Sequence, residues 1–251
     1  MSLLSLGFYS RPNDLIWALS GFGKQGWGLV EAGTFEGPIE SAIQSLKKKW
    51  PRGIRPRIGV PFGRTRCRTI IGDRKTSHII SAERIDQGDE TLLVKVVPFG
   101  EDRMSVSLPR NIVADLMTPW RDAGIEPMDV EPLEIAWSRA YPHADALIHM
   151  PSLNDGNLVV FSERQIHTER LPDLSEGLET HEITSNIVEH IRQARGNVEK
   201  IQTAVIHGNG LDDIPSVDGD LESTHCSIGG EMSPTWADAF VLSLAAAVIR
   251  K

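Results

Sequence analysis

The sequence predicts an α/β protein of two similar lobes, and three observations carry that expectation. Three strands, a helix and a further strand occur in that order twice, about 140 residues apart. The 251 residues are 40% hydrophobic and 24% charged, enough apolar material for a substantial core and unlike a disordered or disulfide-stapled chain. The charge is also divided between the halves: residues 1–78 carry +8 and the remainder −16, for a net −8.

Residues 3–9, 14–20 and 26–35 read as the first three strands. They are short, rich in β-branched and aromatic residues, and separated by Arg11-Pro12-Asn13 and by Gly21-Phe22-Gly23-Lys24. A helix follows at about 37–50, where Ile39, Ala42, Ile43 and Leu46 share one face, and Pro51 stops it. Ile58-Gly59-Val60-Pro61-Phe62 is then an apolar strand running into a turn. In the second copy Ala146–Met150, Asn157–Ser162 and Gln165–Leu171 are the strands. The helix is at about 176–195, closed by Gly196, and 201–206 is the strand that runs into His207-Gly208-Asn209-Gly210.

Between the copies, Thr91–Phe99 and Arg103–Leu108 suggest a hairpin. A helix opens at Pro109 with Ile112, Val113, Leu116, Met117 and Trp120 on one face, and Ala123-Gly124 closes it. Ile125–Val130 is a short strand, and a helix after Pro132 turns Leu133, Ala136, Trp137 and Ala140 inward. A last helix begins at Ser233-Pro234, with Trp236, Phe240, Val241, Leu244 and Val248 on its core face.

No apolar run reaches the roughly 18 residues of a membrane span, and Met1–Gly7 lacks the features of a signal peptide. Cys67 and Cys226 are far apart, which suits a reducing compartment, so a cytoplasmic protein is expected. Much of the basic excess lies between Lys47 and Lys75, including Arg52, Arg55, Arg57, Arg64, Arg66 and Arg68. Such a segment meets an acidic partner or an anionic surface, or faces the acidic half of the same chain. Few aromatic residues interleave with it, so no nucleic-acid partner is expected.

Isolated motifs add little. Gly21–Gly26 lacks the Walker pattern and suits a hairpin turn; His181 and His190 have no companions for zinc. His225 and Cys226, adjacent on a strand, point to opposite faces and make no nucleophile–base pair.

The segment Ala123-Gly124-Ile125-Glu126-Pro127-Met128-Asp129-Val130-Glu131-Pro132 resembles an Ala-Gly, Pro, Val-Asp, Glu pattern that leads into a helix in PilM-like proteins. These are actin-like components of type IV pilus machines, related to the cytoplasmic domain of the type II secretion protein GspL. Ala146–Leu171 is similar to the same family's second phosphate segment, with Arg164 where its turn glycine stands. The residue-level likeness is concentrated at about 110–172 and 201–210, and the element order extends it to the whole chain.

The resemblance implies an actin-like, ribonuclease H-like fold with a duplicated βββαβα unit. Its first lobe would be 1–140, with a small inserted subdomain at about 65–108, and its second 141–251. In that superfamily two turns led by Asp-x-Gly hold the phosphates through Mg²⁺ and an attacking water. Here Ser5-Leu6-Gly7 keeps the glycine without the carboxylate, and His149-Met150-Pro151 keeps neither, with Asp145 and Asp155 the nearest acids. Pro151 also removes a backbone donor. Gly208 and Gly210 match the adenosine turn. The expectation is therefore a pseudo-ATPase with no cofactor and ATP bound weakly at best, whose vestigial contacts are Gly7, Gly208 and Gly210. The alternative is an active ATP-dependent kinase or ATPase. The implied partner is a cytoplasmic segment of a single-span inner-membrane assembly protein, docked at Arg64, Arg66 and Arg68, with a homo-oligomer left open.

Overall fold

The computed structural model describes residues 4–11, 14–23, 26–50, 54, 56–70, 75–88, 91–99, 102–127, 129–141, 144–152, 155–161, 165–171, 189, 203–208, 222–225 and 234–248. In chain order the elements are β1 (Leu4–Ser10), β2 (Asp14–Gly23), β3 (Gly26–Glu36), α1 (Ile39–Lys47), β4 (Pro56–Val60), β5 (Arg66–Ile70) and α2 (Thr76–Gln87). They continue as β6 (Leu92–Phe99), β7 (Asp102–Pro109), α3 (Arg110–Asp122), β8 (Asp129–Pro132), α4 (Leu133–Ala140) and β9 (Ala146–Ser152). The last are β10 (Asp155–Phe161), β11 (Gln165–Arg170), β12 (Thr203–Gly208), β13 (Glu222–His225) and α5 (Pro234–Val248).

Two sheets result, in the orders β3-β2-β1-β4-β8 and β13-β12-β9-β10-β11-β5-β7-β6. The first five strands of the second sheet repeat the first. In both, a central strand runs parallel to the two strands on one side, and an antiparallel pair lies on the other. The inserted segment supplies β5, β6 and β7. These extend the sheet of the second half, through the pairs Gln165↔Arg68 and Ile166↔Cys67. The insertion therefore leaves the first sheet after β4, crosses to the second, and returns along α3 to β8.

Strand alternation sorts the first sheet into two faces. Leu6, Phe8, Leu15, Trp17 and Leu19 pack on Ala42, Ile43 and Leu46 of α1 and on Trp120 of α3. Phe8 lies 4.5 Å from Trp120 and 4.9 Å from Trp50, ring centre to ring centre, an aromatic cluster that seals this outer face. Tyr9, Ile16 and Ala18 point the other way, into a core shared with α4, α5 and the second sheet. That core runs without a break from Ala18 through Ala239 and Phe240 to Leu147, Val159 and, in the insertion, Cys67, Met104 and Val106.

α5 lies between the sheets and is buried from Ala237 to Ser243. It crosses β1 where that strand has no side chain: a Cβ on Gly7 would stand 2.1 Å from the Ala239 carbonyl oxygen and 2.6 Å from the Ser243 nitrogen. Gly59 on β4 leaves room for the Leu242 side chain, whose Cδ1 would stand 2.6 Å from a Cβ there.

The structure departs from the sequence reading in several places. The short strand expected at Ile125–Val130 begins at Asp129, after a loop that includes Pro127. β5, α2 and β13 were not expected as elements. The helix expected at about 176–195 lies outside the described residues except for Glu189, as do His181, His190, Gly210 and Cys226. Among the described residues no helix is long and apolar enough to cross a membrane.

The seat of α5 yields a paired stability prediction. Gly7→Ala should lose about 3 kcal/mol, because backbone on α5 must move to admit a methyl group. Gly28→Ala, on the exposed edge strand β3 with nothing within 4 Å, should stay within about 0.5 kcal/mol of the parent. Urea titrations compare the two; equal midpoints would show that α5 is not seated on Gly7.

Candidate functional site

Both segments aligned with phosphate turns lie inside strands, which corrects the sequence reading. Ser5-Leu6-Gly7 is the middle of β1, with Gly7 opposite Ala18 on one side and Arg57 on the other. His149-Met150-Pro151 lies within β9, and His149 faces Asn157 across the hairpin. The physical reason is strand length: β1 continues to Ser10 and β9 to Ser152, so each chain reversal comes later than an Asp-x-Gly alignment places it. Asp155 stands just past the second reversal, opposite Ser152.

The two segments do share a neighbour, and it is α5. Gly7 abuts Ala239, while the Asp238 carboxylate accepts from His149 Nε2 at 2.9 Å and from Trp137 Nε1 at 2.9 Å. His149, Asp238 and Trp137 are all buried, and the His149 ring also packs against Phe62, 4.7 Å away. Gly7 is thus a close-packing glycine whose missing side chain makes room for the α5 backbone. Gly208 ends β12 opposite Met150. Among the described residues no three His, Cys, Asp or Glu are grouped to hold a metal.

The basic segment is partly consumed inside the fold. Arg57 is buried against Glu131. Arg68 Nη1 lies 3.7 Å from Glu83 of α2, and Lys47 Nζ donates to the Ala123 carbonyl at 2.6 Å, at the end of α3. Arg64 and Arg66 are exposed and remain as surface cations. The strand β5 therefore presents Arg66 and Arg68 on one side, with Cys67 in the core on the other.

What sequence reasoning missed is Glu134, which grips the crossing between the sheets. Its Oε1 accepts from the Gly63 N–H at 2.7 Å, and Thr65 and Thr168 hydroxyls donate to the carboxylate at 3.4 Å. Gly63 holds φ +70, a left-handed turn that aims its N–H at the acid. One side chain of α4 thereby fixes the loop from β4 to β5 and touches β11. Burial pushes the Glu134 carboxyl up to about 7, against hydrogen bonds that favour the ionised form. Burial, then the Glu134 charge, pushes the Cys67 thiol up to about 12, which makes it a core residue and not a nucleophile.

Glu134 predicts a pH slope. Its folded value of about 7 lies above the usual 4.5, so between those pH values the folded chain keeps a proton that the unfolded chain has lost. Stability contributed in acid is lost as pH rises through that window, by on the order of 3 kcal/mol, and is level above it. Glu134→Gln retains an acceptor for Gly63 and should flatten the slope in denaturant titrations from pH 4.5 to 8. An unchanged slope would assign it to another group.

No protein-family model matches the sequence, and no curated protein matches it. Solved structures do. The cytoplasmic domain of EpsL, an inner-membrane component of the type II secretion system of Vibrio cholerae, matches with a TM-score of 0.57 at 11% identity, covering 99% of this chain and 96% of that one. The ethanolamine utilization protein EutJ from Carboxydothermus hydrogenoformans matches with a TM-score of 0.51 at 9% identity, over 95% and 90% of the two chains. A Bacteroides thetaiotaomicron protein of unknown function with an actin-like ATPase fold has a TM-score of 0.49 at 8% identity, over 95% of each. The repeated strand order and the likenesses to the EpsL domain and to EutJ over nearly the whole chain give one conclusion: the chain shares the fold of these two proteins, the duplicated actin-like α/β fold that its element order implies.

Proposed function

We propose that this protein is a non-enzymatic actin-like scaffold of an inner-membrane assembly platform of the type II secretion or type IV pilus kind. The observation that carries this reading is the likeness to the EpsL cytoplasmic domain, which extends over nearly all of both chains. The scaffold works from the cytoplasmic side and is held at the membrane by a cytoplasmic segment of a single-span partner. The exposed Arg64 and Arg66, beside the insertion, supply positive charge for an acidic stretch of such a segment. Arg68 contributes less, since Glu83 already faces it.

The interior supports the absence of phosphoryl transfer. That chemistry needs carboxylates at the phosphates to hold Mg²⁺ and orient water. Position 5 is a buried serine, and position 149 is a histidine already bonded to Asp238. α5 backbone occupies the space in front of Gly7. The role that remains is to keep two lobes in fixed relation and present their surfaces.

Two measurements test the reading. Calorimetry with Mg-ATP should give no heat of tight binding, and phosphate release should not exceed the protein-free rate. A micromolar dissociation constant would overturn the pseudo-ATPase assignment. Cytoplasmic peptides of candidate single-span partners should bind, and Arg64→Ala with Arg66→Ala should weaken binding about 3- to 10-fold at low salt. Affinity that is unchanged by these substitutions and by salt would remove the basic segment from the docking surface.

A further inference from the structure

A second cluster of charge lies on the inner face of the first sheet, away from Glu134 and independent of the scaffold reading. Arg57 on β4, Glu131 on β8 and Arg139 on α4 converge there. Arg57 Nη1 is 3.5 Å from Glu131 Oε2, and Arg139 Nη2 donates to Glu131 Oε1. Asp129 is the cross-strand neighbour of Arg57, and its carboxylate accepts from Lys95 Nζ of β6 at 3.2 Å and 3.3 Å. Among the described residues the row holds three cations, Lys95, Arg57 and Arg139, against two carboxylates.

The imbalance is concentrated where it costs most. Arg57 is 2% exposed, and its Nη1 faces Glu131 Oε2 at 3.5 Å, beyond good hydrogen-bond geometry for either atom, while its Nε and the Arg139 Nε find no hydrogen-bond partner among the described residues. A buried guanidinium with unmet donors carries a desolvation penalty that one shared carboxylate does not offset. Burial, only partly countered by Asp129, lowers the affinity of Arg57 for its proton. Burial and then the repulsion of Arg57 bring Arg139 down to about 10. Two guanidinium groups that share one acid and retain unused N–H donors match an oxyanion, whose oxygens accept several charge-assisted bonds at once. The Arg139 side chain, 22% exposed, gives such an ion its route to the pair.

We infer that Arg57 and Arg139 form a binding site for a small oxyanion, a phosphate or a carboxylate, which completes the charge row between β4, β8 and α4. The bound ion ties the edge of the first sheet to the helix that carries Glu134 and Trp137, and so stiffens the lobe junction.

Thermal unfolding of the whole chain at pH 8 tests this with sodium phosphate, sodium acetate and sodium chloride at matched ionic strength. Phosphate or acetate at 10 mM should raise the midpoint roughly 3–5 °C above chloride, the rise a millimolar site gives a chain of this length. The better of the two identifies the chemistry the site takes. Arg139→Gln should abolish the difference, and Arg110→Gln, exposed at the start of α3, should preserve it. Calorimetric titration of the unmodified protein keeps the proposal testable should the Arg139 variant fold poorly, with one site per chain expected. Equal midpoints in all three salts, or a difference that survives Arg139→Gln, would overturn the site.

Discussion

The contact on which the rest of this structure depends is the seating of α5 between the central strands of the two sheets. On one side β1 offers a bare Cα at Gly7, so helix backbone and strand backbone meet directly. On the other side β9 offers His149, which meets Asp238 one residue earlier on the same helix. The two constraints differ in kind. The first is steric and sets how close the helix approaches; the second is polar and sets its rotation and its height along the strand. Trp137 shares the Asp238 carboxylate and brings α4 into the same arrangement.

Around that contact the core changes character. The outer face of the first sheet is closed by apolar packing, with Phe8, Trp17, Trp50 and Trp120 contributing most of the bulk. On the inner side of the sheets the packing is laced with buried polar and charged groups: Glu134 under Gly63, Arg57 and Arg139 on Glu131, and His149 on Asp238. Apolar packing tolerates small slips of one surface over another, whereas a buried acid with directional partners does not. α4 and α5 are therefore fixed against the strands by a few directional bonds, and the outer face of the first sheet is held by its area. Such groups cost desolvation, which is consistent with their concentration at the junction where uniqueness matters.

The duplicated order was legible because its strands alternate cleanly. Leu15, Trp17 and Leu19 against Ile16 and Ala18 mark both faces of β2, and Ala42, Ile43 and Leu46 mark the inner face of α1. The insertion was harder for a physical reason. β5 alternates arginines with one cysteine, and one of them, Arg68, finds its complement in Glu83 of α2, whose inner face is a glutamate as much as it is Ile79. Neither element shows an apolar stripe, because β7 meets them partly through the serines Ser105, which donates to Glu83, and Ser107, which donates to the Arg66 carbonyl. Gly7 was read as the retained glycine of a phosphate turn, and the sequence holds no sign that a helix more than 200 residues away packs on it. Glu134 was hidden for the same reason. It stands in an ordinary helical run, and its partners come from Gly63, Thr65 and Thr168.

The meeting of β1 with α5 also fixes when the molecule can finish folding. β1 and α5 cover each other, so the inner face of the first sheet stays open to water until α5, more than 200 residues after β1, has left the ribosome. Contacts this distant in sequence close slowly, and they form last in a chain made from its N-terminus. Until α5 arrives, the first half carries an uncovered apolar surface centred on Tyr9, Ile16 and Ala18. That interval, more than any property of the finished molecule, is when this chain is exposed to aggregation and to the attention of chaperones.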